Sequence, residues 1–81
     1  MILDIGLSGI AVLPHQRRTL RPEKVASVAK SMKASGLSQP IVVRPQEGTG
    51  YYLVNGLHRL EAARKLRWEA IACKIVEGGE R

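Results

Sequence analysis

The sequence predicts an α+β fold, in which a small mixed sheet of about four strands carries two or more packed helices. Short β-branched and aromatic runs indicate strands, and two longer segments with apolar residues at helical spacing indicate helices. These segments follow the order strand, helix, strand, strand, helix, strand. The 81 residues are too few for two hydrophobic cores, so we expect one domain over residues 1–81 with its core at about 10–76.

The first half of the chain contains one predicted strand and one predicted helix. The strand is an apolar run at residues 10–13, which Pro14 closes and an exposed basic loop follows. The helix is expected to begin at Pro22, because proline suits the first helical turn, and to end at Gly36. Its apolar stripe follows helical spacing and comprises Val25, Val28, Ala29 and Met32.

The second half contains a predicted hairpin and a closing strand. Strand-like runs at residues 39–44 and 51–54 flank a turn-rich segment, which predicts two strands joined by a longer loop. The closing strand is expected at 70–76, where alternation makes Cys73 a small core residue. Residues 78–81 are expected to be a frayed end or the cut edge of a longer protein.

Net charge and cysteine content narrow the classes of function. Thirteen Lys and Arg against seven Asp and Glu give a formal charge of +6, which favours polyanionic partners such as nucleotides or DNA. A solubilising basic surface is the alternative explanation. The single cysteine excludes an internal disulfide and a multi-cysteine metal site, and it fits a cytoplasmic protein. The longest uncharged stretch near the N-terminus, residues 5–16, is too short to span a bilayer.

A strand-to-helix corner in the second half of the chain predicts a phosphate-binding site. The second predicted helix begins at Gly56, directly after a strand, with Asn55 as its N-cap. The first amide hydrogens of a helix have no partner within it and carry partial positive charge, so they attract anions. Gly56 would let a phosphate approach the backbone, and His58 and Arg59 would add side-chain donors. The alternative is a tight cap with two exposed first-turn side chains.

Two boxes of residues resemble the N-terminal domain of ParB proteins, within the ParB/sulfiredoxin superfamily. The first box spans residues 12–45 and contains, at 36–41, a stretch similar to the Gly-Leu-Gln-Pro-Ile sequence of that family. The second box spans residues 52–63 and contains the Gly-x-His-Arg corner. The resemblance continues through Lys65, Leu66 and the closing strand, so the match covers about residues 10–76, nearly the whole chain. The two boxes occur in the family's order, and their combination is more specific than either one alone.

The resemblance implies a nucleotide pocket and a ParB/sulfiredoxin-like fold. Members of the superfamily bind the phosphates of CTP or ATP at this corner. The resemblance therefore implies CTP or ATP as the ligand, either alone or together with a magnesium ion. The loop after the first strand supplies further contacts in the family. The implied nucleotide-binding residues are Gly56, Leu57, His58, Arg59, Gln16 and Arg17, and more loosely Arg18.

Three departures from the family pattern limit what the resemblance implies. Leu57 stands where sulfiredoxins have cysteine, so reduction of sulfinic acids is not expected. His58 stands where ParB-type domains commonly have arginine, which leaves the choice of nucleotide open. The helix-turn-helix and dimerisation domains of a full ParB are not expected in this chain.

Binding and catalysis are the two main classes of function that remain. The favoured hypothesis is a nucleotide-binding regulatory or DNA-associated module. The alternative is a phosphoryl-transfer enzyme, nuclease or NTPase, with His58 as the candidate acid or base. Such chemistry usually needs a base and a magnesium ligand, and Glu23 and Glu61 form no evident acidic pair. A third hypothesis is a protein-interaction module that has lost the site, although the presence of both His58 and Arg59 argues against it.

Basic side chains outside the corner predict weak, sequence-independent contact with DNA. No recognition helix or dimer signature is visible in the sequence to read base edges, so such contacts would involve phosphates. Nucleotide and DNA are thus the expected partners, and a membrane is not. The candidate DNA contacts are Arg18, Arg21, Lys24, Arg64, Lys65 and Arg67.

Overall fold

The computed structural model of the chain describes residues 1–76, which form one five-stranded sheet and three α-helices. The prediction of a frayed end at residues 78–81 lies outside this range. The strands are β1 (Ile2–Gly6), β2 (Ile10–Ala11), β3 (Ile41–Pro45), β4 (Tyr51–Asn55) and β5 (Ala70–Ile75). The helices are α1 (Pro14–Arg17), α2 (Pro22–Ser35) and α3 (Leu57–Lys65), and a short 3-10 turn (Leu7–Gly9) follows β1.

The sheet has the strand order β1-β5-β3-β4-β2 and contains both parallel and antiparallel pairs. β1 pairs antiparallel with β5, and β3 pairs antiparallel with β4. β3 pairs parallel with β5, and the short β2 pairs parallel with β4. The predicted α+β class with a mixed sheet is therefore confirmed, with five strands instead of about four.

The N-terminal segment differs most from the prediction. The sequence does not predict β1, because only Ile5 among its five residues is buried and the alternation that marks a strand is weak. The strand predicted at residues 10–13 is reduced to Ile10 and Ala11. The segment predicted as an exposed loop contains the four-residue helix α1, which begins at Pro14.

Helix α2 and the hairpin agree with the sequence predictions. α2 begins at Pro22, and Gly36 follows its last residue with a φ of 80°, a left-handed conformation that favours glycine at a helix end. Val25, Ala29 and Met32 are its buried residues. β3 and β4 form the predicted antiparallel hairpin, and its register shifts between Val42 and Val43 of β3.

One hydrophobic core connects the sheet with α2 and α3. Cys73 on β5 is fully buried in it, as predicted, and burial raises the pKa of its thiol to about 11. The thiol therefore stays protonated at neutral pH and acts as a small apolar side chain. The largest fully buried side chains are Ile41, Leu60, Ile71, Val43 and Cys73, and they anchor α3 against β3 and β5.

Candidate phosphate-binding corner

The corner between β4 and α3 is a single residue, Gly56, in a left-handed conformation. Its φ of 109° turns the chain out of the strand, and its carbonyl accepts the first α-helical hydrogen bond, from the amide of Leu60 at 2.9 Å. The N-cap is therefore Gly56, and the predicted N-cap role of Asn55 is wrong, since Asn55 still belongs to the strand. Within residues 1–76, no side chain caps this helix start, which leaves its first amide hydrogens available to a ligand.

The absence of a side chain at Gly56 serves the packing of the corner against β3. A Cβ atom at this position would lie 2.7 Å from Cγ2 and 2.8 Å from Cβ of Ile41. From the sequence, the glycine is expected to allow close approach of a phosphate. In the structure its conformation and its contact with Ile41 already require glycine, so this residue alone does not indicate a ligand.

Two clefts lie at the corner and share four residues, Asn55, Gly56, Leu57 and His58. The larger cleft, of about 310 Å³, is completed by His15, Gln16, Thr19, Leu53 and Val54. The smaller cleft, of about 180 Å³, is completed by Lys24, Val28 and Arg59. The helix start that the sequence singled out is thus reachable from both sides, with α1 along one cleft and α2 along the other.

His58 connects the corner to the beginning of α2. Its Nε2 atom accepts a hydrogen bond of 3.1 Å from the backbone amide of Arg21. The pKa of His58 is lowered by burial, with further lowering by Lys24 and Arg21 and an opposing effect of Glu23. The neutral ring therefore predominates at neutral pH, and its proton is on Nδ1 because Nε2 is an acceptor.

Arg59 binds two backbone carbonyl groups at the segment before β3. Its Nη1 atom donates to the oxygen of Gln39 at 2.9 Å and to that of Pro40 at 3.1 Å. The Nε and Nη2 hydrogens have no acceptor among residues 1–76, so the guanidinium retains donors for an anion. The sequence predicted Arg59 as a phosphate ligand but missed this structural role, because the two carbonyl groups lie about twenty residues away.

Gln16 is fully engaged in holding α1 against the sheet. Its Oε1 accepts from the amide of Leu13 at 2.9 Å, and its Nε2 donates to the oxygen of Leu53 at 2.8 Å. Gln16 therefore shapes the larger cleft, although its side-chain amide is already paired. Arg17, also predicted to contact the nucleotide, is exposed and lines neither cleft in the described part of the chain.

Lys24 lies in a different place from the other candidate DNA contacts, because it lines the smaller cleft. His15 and Thr19 line the larger cleft and are not predicted from the sequence. The sequence predicts an exposed loop in place of the short helix α1, so nothing in it indicates that these two side chains face the corner. The remaining candidates are exposed and outside both clefts, namely Arg18, Arg21, Arg64, Lys65 and Arg67.

The acidic residues considered for catalysis lie away from the two clefts. Glu61 forms an ion pair of 3.4 Å with Arg64 and lines a separate groove of about 410 Å³. Glu23 is exposed and lies 3.7 Å from the Arg21 guanidinium. Among residues 1–76, no group of three or more His, Cys, Asp or Glu side chains could hold a metal ion. None of the described helices is long and apolar enough to cross a membrane.

Two solved structures share this fold over almost the whole chain. Sulfiredoxin from Arabidopsis thaliana is 37% identical with a TM-score of 0.85, and the match covers 96% of this chain and 86% of that one. The C-terminally truncated chromosome-partitioning protein ParB from Caulobacter crescentus, complexed with CTP-gamma-S, is 28% identical with a TM-score of 0.84. That match covers 99% of this chain and 46% of that one. The fold is therefore that of the ParB/sulfiredoxin superfamily.

The sequence comparisons define the family within this superfamily. The chain matches the ParB N-terminal domain family over residues 2–81. The nucleoid occlusion protein of Bacillus subtilis (strain 168) is 39% identical over 76 residues, which are 91% of this chain and 27% of that protein. The chain spans about a quarter of the length of the curated relatives it matches. It belongs to the ParB N-terminal domain family.

Proposed function

We propose that this domain binds the phosphates of a nucleoside triphosphate at the β4–α3 corner. The observation that carries the proposal is the pair of clefts that meet at a helix start without a side-chain cap among residues 1–76, with Leu57 and His58 lining both clefts. Helix N-termini bind anions through free amide hydrogens and partial positive charge. The Caulobacter ParB structure with CTP-gamma-S supports a nucleotide as the ligand and CTP as the first candidate.

The linings of the two clefts differ, and the difference favours one cleft for the phosphates of the nucleotide and the other for its base. The smaller cleft carries the cationic side chains Lys24 and Arg59 beside the helix start, so it suits the phosphates. The larger cleft combines the apolar side chains of Leu53 and Val54 with the polar groups of His15 and Thr19. A flat base with hydrogen-bonding edges fits such a lining. The phosphates and the nucleoside would then lie on opposite sides of His58.

The module is also proposed to act in association with DNA. A ParB structure from Caulobacter crescentus, 29% identical to this chain, is complexed to the centromeric parS site. The relatives in Bacillus are nucleoid occlusion proteins. The positive formal charge of +6 supports contact with DNA phosphates. Because this chain spans only part of those relatives, sequence recognition is not assigned to it.

Phosphoryl transfer or nucleotide hydrolysis is the alternative function, and we rank it below binding. Among residues 1–76, His58 is the one titratable side chain that lines both clefts, so it remains the candidate acid or base. However, its Nε2 is occupied by the Arg21 amide. The carboxylates of Glu23 and Glu61 line neither cleft, so they are poorly placed as a base or as magnesium ligands.

Isothermal calorimetry with CTP, ATP and GTP, each with and without magnesium, tests the proposed function. We expect at least one of the triphosphates to bind. Lys24→Ala should weaken its binding by about tenfold or more, since one charge-assisted contact contributes about 1.5–3 kcal/mol. Lys30→Ala is the matched control, because Lys30 lies exposed on the same helix and lines neither cleft. Equal effects of the two substitutions would mean that only net charge matters, and the proposed site would be wrong.

A further inference from the structure

His58 occupies the point where the two clefts and two helices meet. Its ring lines both clefts from the first turn of α3. Its Nε2 is bonded to the amide of Arg21, the residue that caps the N-terminus of α2. Arg21 and His58 are 37 positions apart in the sequence, so this bond is a tertiary contact between two helix starts.

The same bond determines which donor the ring offers to a ligand. A neutral imidazole has one protonated nitrogen, and an Nε2 that accepts a hydrogen bond leaves the proton on Nδ1. No side chain or carbonyl group within residues 1–76 accepts from that Nδ1–H. The Nδ1–H is therefore the group that a ligand oxygen in either cleft can use.

The start of α2 carries the lysine of the smaller cleft. Lys24 lies in the first turn of α2, and its amide donates to the oxygen of Arg21 at 3.0 Å. A shift of Arg21 away from His58 would move this turn together with Lys24. Val25, the next residue, is buried in the core and holds the body of α2. At the N-cap itself, Pro22 lacks an amide hydrogen and no side chain in the described residues caps α2, so the Arg21–His58 bond is the hydrogen bond that ties this end of the helix to the corner.

We propose that His58 is a positioning residue, which holds Lys24 at the smaller cleft through Arg21 while its Nδ1–H donates to a phosphate oxygen. This inference rests on the proposed nucleotide site. It connects the α2 side of that site, with Lys24, to the α3 side, with His58, through one hydrogen bond. The effects of His58 and Lys24 on binding are then not independent. Removal of the His58 bond displaces Lys24, so a second loss from Lys24→Ala becomes small.

A double-mutant cycle with CTP, or with whichever triphosphate binds more tightly, tests this coupling. We expect His58→Ala and Lys24→Ala each to weaken binding about tenfold or more. The dissociation constant of the double variant should lie within about threefold of that of the weaker-binding single variant. Losses that multiply would show that the two residues act separately, and the inference would be wrong. If no triphosphate binds the wild type, the proposed function fails, whereas multiplied losses on a binding wild type overturn the positioning role alone.

Two conservative substitutions separate the two nitrogens of the ring. The amide of glutamine reaches the position of Nε2, so His58→Gln can still accept from Arg21, whereas the shorter His58→Asn reaches only the position of Nδ1. We expect His58→Gln to retain at least threefold more affinity than His58→Asn. The reverse order would mean that the Nδ1 contact alone matters. Circular dichroism and melting curves show whether each variant is folded before binding is compared.

Nitrogen-15 NMR of the ligand-free protein tests the bond itself. We expect the His58 ring to show the Nδ1–H tautomer at neutral pH and the Arg21 amide to shift in His58→Asn but much less in His58→Gln. His15, which is exposed and has no side-chain hydrogen bond within residues 1–76, is the internal reference for an unconstrained ring. An Nε2–H tautomer for His58 would overturn the proposal without any nucleotide being present.

Discussion

Gly56 shows how strongly the geometry of the corner depends on one residue. Two features exclude a side chain at this position. The φ of Gly56 is positive, at 109°, and a Cβ atom here would lie only 2.7 Å from Cγ2 of Ile41. The left-handed conformation costs a non-glycine residue about 1–2 kcal/mol. Crowding in a packed interior adds about 1–3 kcal/mol. The glycine therefore stabilises the fold whether or not a ligand is bound.

We predict that Gly56→Ala lowers the free energy of unfolding by about 2–5 kcal/mol, the sum of these two contributions. The matched control is Gly48→Ala, because Gly48 also has a positive φ, of 88°, but a Cβ atom there would meet nothing within 4 Å. The control should lose only the conformational part. Urea denaturation measures both variants, and equal losses would show that contact with Ile41 does not matter.

The sequence predicts an anion site at the corner, but it does not predict the structural contacts that the corner residues make. A glycine, a histidine and an arginine at a strand-to-helix junction favour an anion site, and that site stays a prediction. Their second roles depend on partners that are distant in sequence, namely Ile41 for Gly56, Arg21 for His58 and Gln39 for Arg59. No local pattern contains that information.

His58 should make the stability of the domain depend on pH. Its pKa is lowered in the folded protein, so around its ordinary value of 6.5 the unfolded chain binds a proton more readily than the folded one. The contribution of His58 to stability is complete above pH 6.5 and is lost as the pH falls through its lowered folded pKa. Denaturation curves between about pH 7 and pH 5 should show this loss in the wild type and not in His58→Gln. The same pH dependence in both proteins would contradict the prediction.

At the scale of elements, α1 is the feature that depends most on tertiary contacts. A helix of four residues has almost no stability of its own, since nucleation is unfavourable. Gln16 provides the missing stabilisation by bonding to Leu13 within the segment and to Leu53 on β4. α1 therefore forms because the sheet is present, and it in turn builds one wall of the larger cleft.

We predict that Gln16→Ala releases α1 from the sheet and lowers the free energy of unfolding by about 1–2 kcal/mol, because two part-buried hydrogen bonds are lost. The amide of Leu13 should then exchange with solvent faster. Arg17→Ala, at the next and exposed position, should change stability by less than about 0.5 kcal/mol. Unchanged exchange at Leu13 in Gln16→Ala would show that α1 is held by other contacts.

Elements with strong local signals could be predicted, and those without them could not. α2 has a proline at its start, a glycine after its end and a periodic apolar stripe, and its predicted limits agree with the structure. β1 has a single buried residue and lies at the edge of the sheet, so neither composition nor alternation marks it. β2 is only two residues long and is defined by pairing with β4 rather than by its own sequence.

At the scale of the whole molecule, exposed basic side chains outside the clefts far outnumber the exposed acidic ones among residues 1–76. One group surrounds the connection from α1 to α2 and comprises Arg17, Arg18 and Arg21. Another lies at the end of α3 and comprises Lys65 and Arg67. These side chains are not arranged on a single recognition helix. The distribution favours contact with phosphates over reading of base edges.

We therefore predict weak and sequence-independent binding of DNA by the isolated domain. For about four neutralised phosphates, the logarithm of affinity should fall with the logarithm of salt concentration at a slope of roughly −3.5. Fluorescence anisotropy with random and defined duplexes over a salt series measures this slope. Tight binding of one sequence at high salt would contradict the prediction, and no binding at low salt would leave the nucleotide as the polyanionic partner.

The pairing of the first strand with the last has a consequence for how the domain forms during translation. Of the five strands, β1 leaves the ribosome before the others and its partner β5 leaves after them, and the register joins Ile2 to Lys74 and Gly6 to Ala70. β5 also supplies the parallel partner of β3, so an incomplete nascent chain lacks both pairings. Such long-range contacts form late and favour a single cooperative step. The domain therefore gains its fold, and the clefts at its corner, only when nearly all of its residues have emerged.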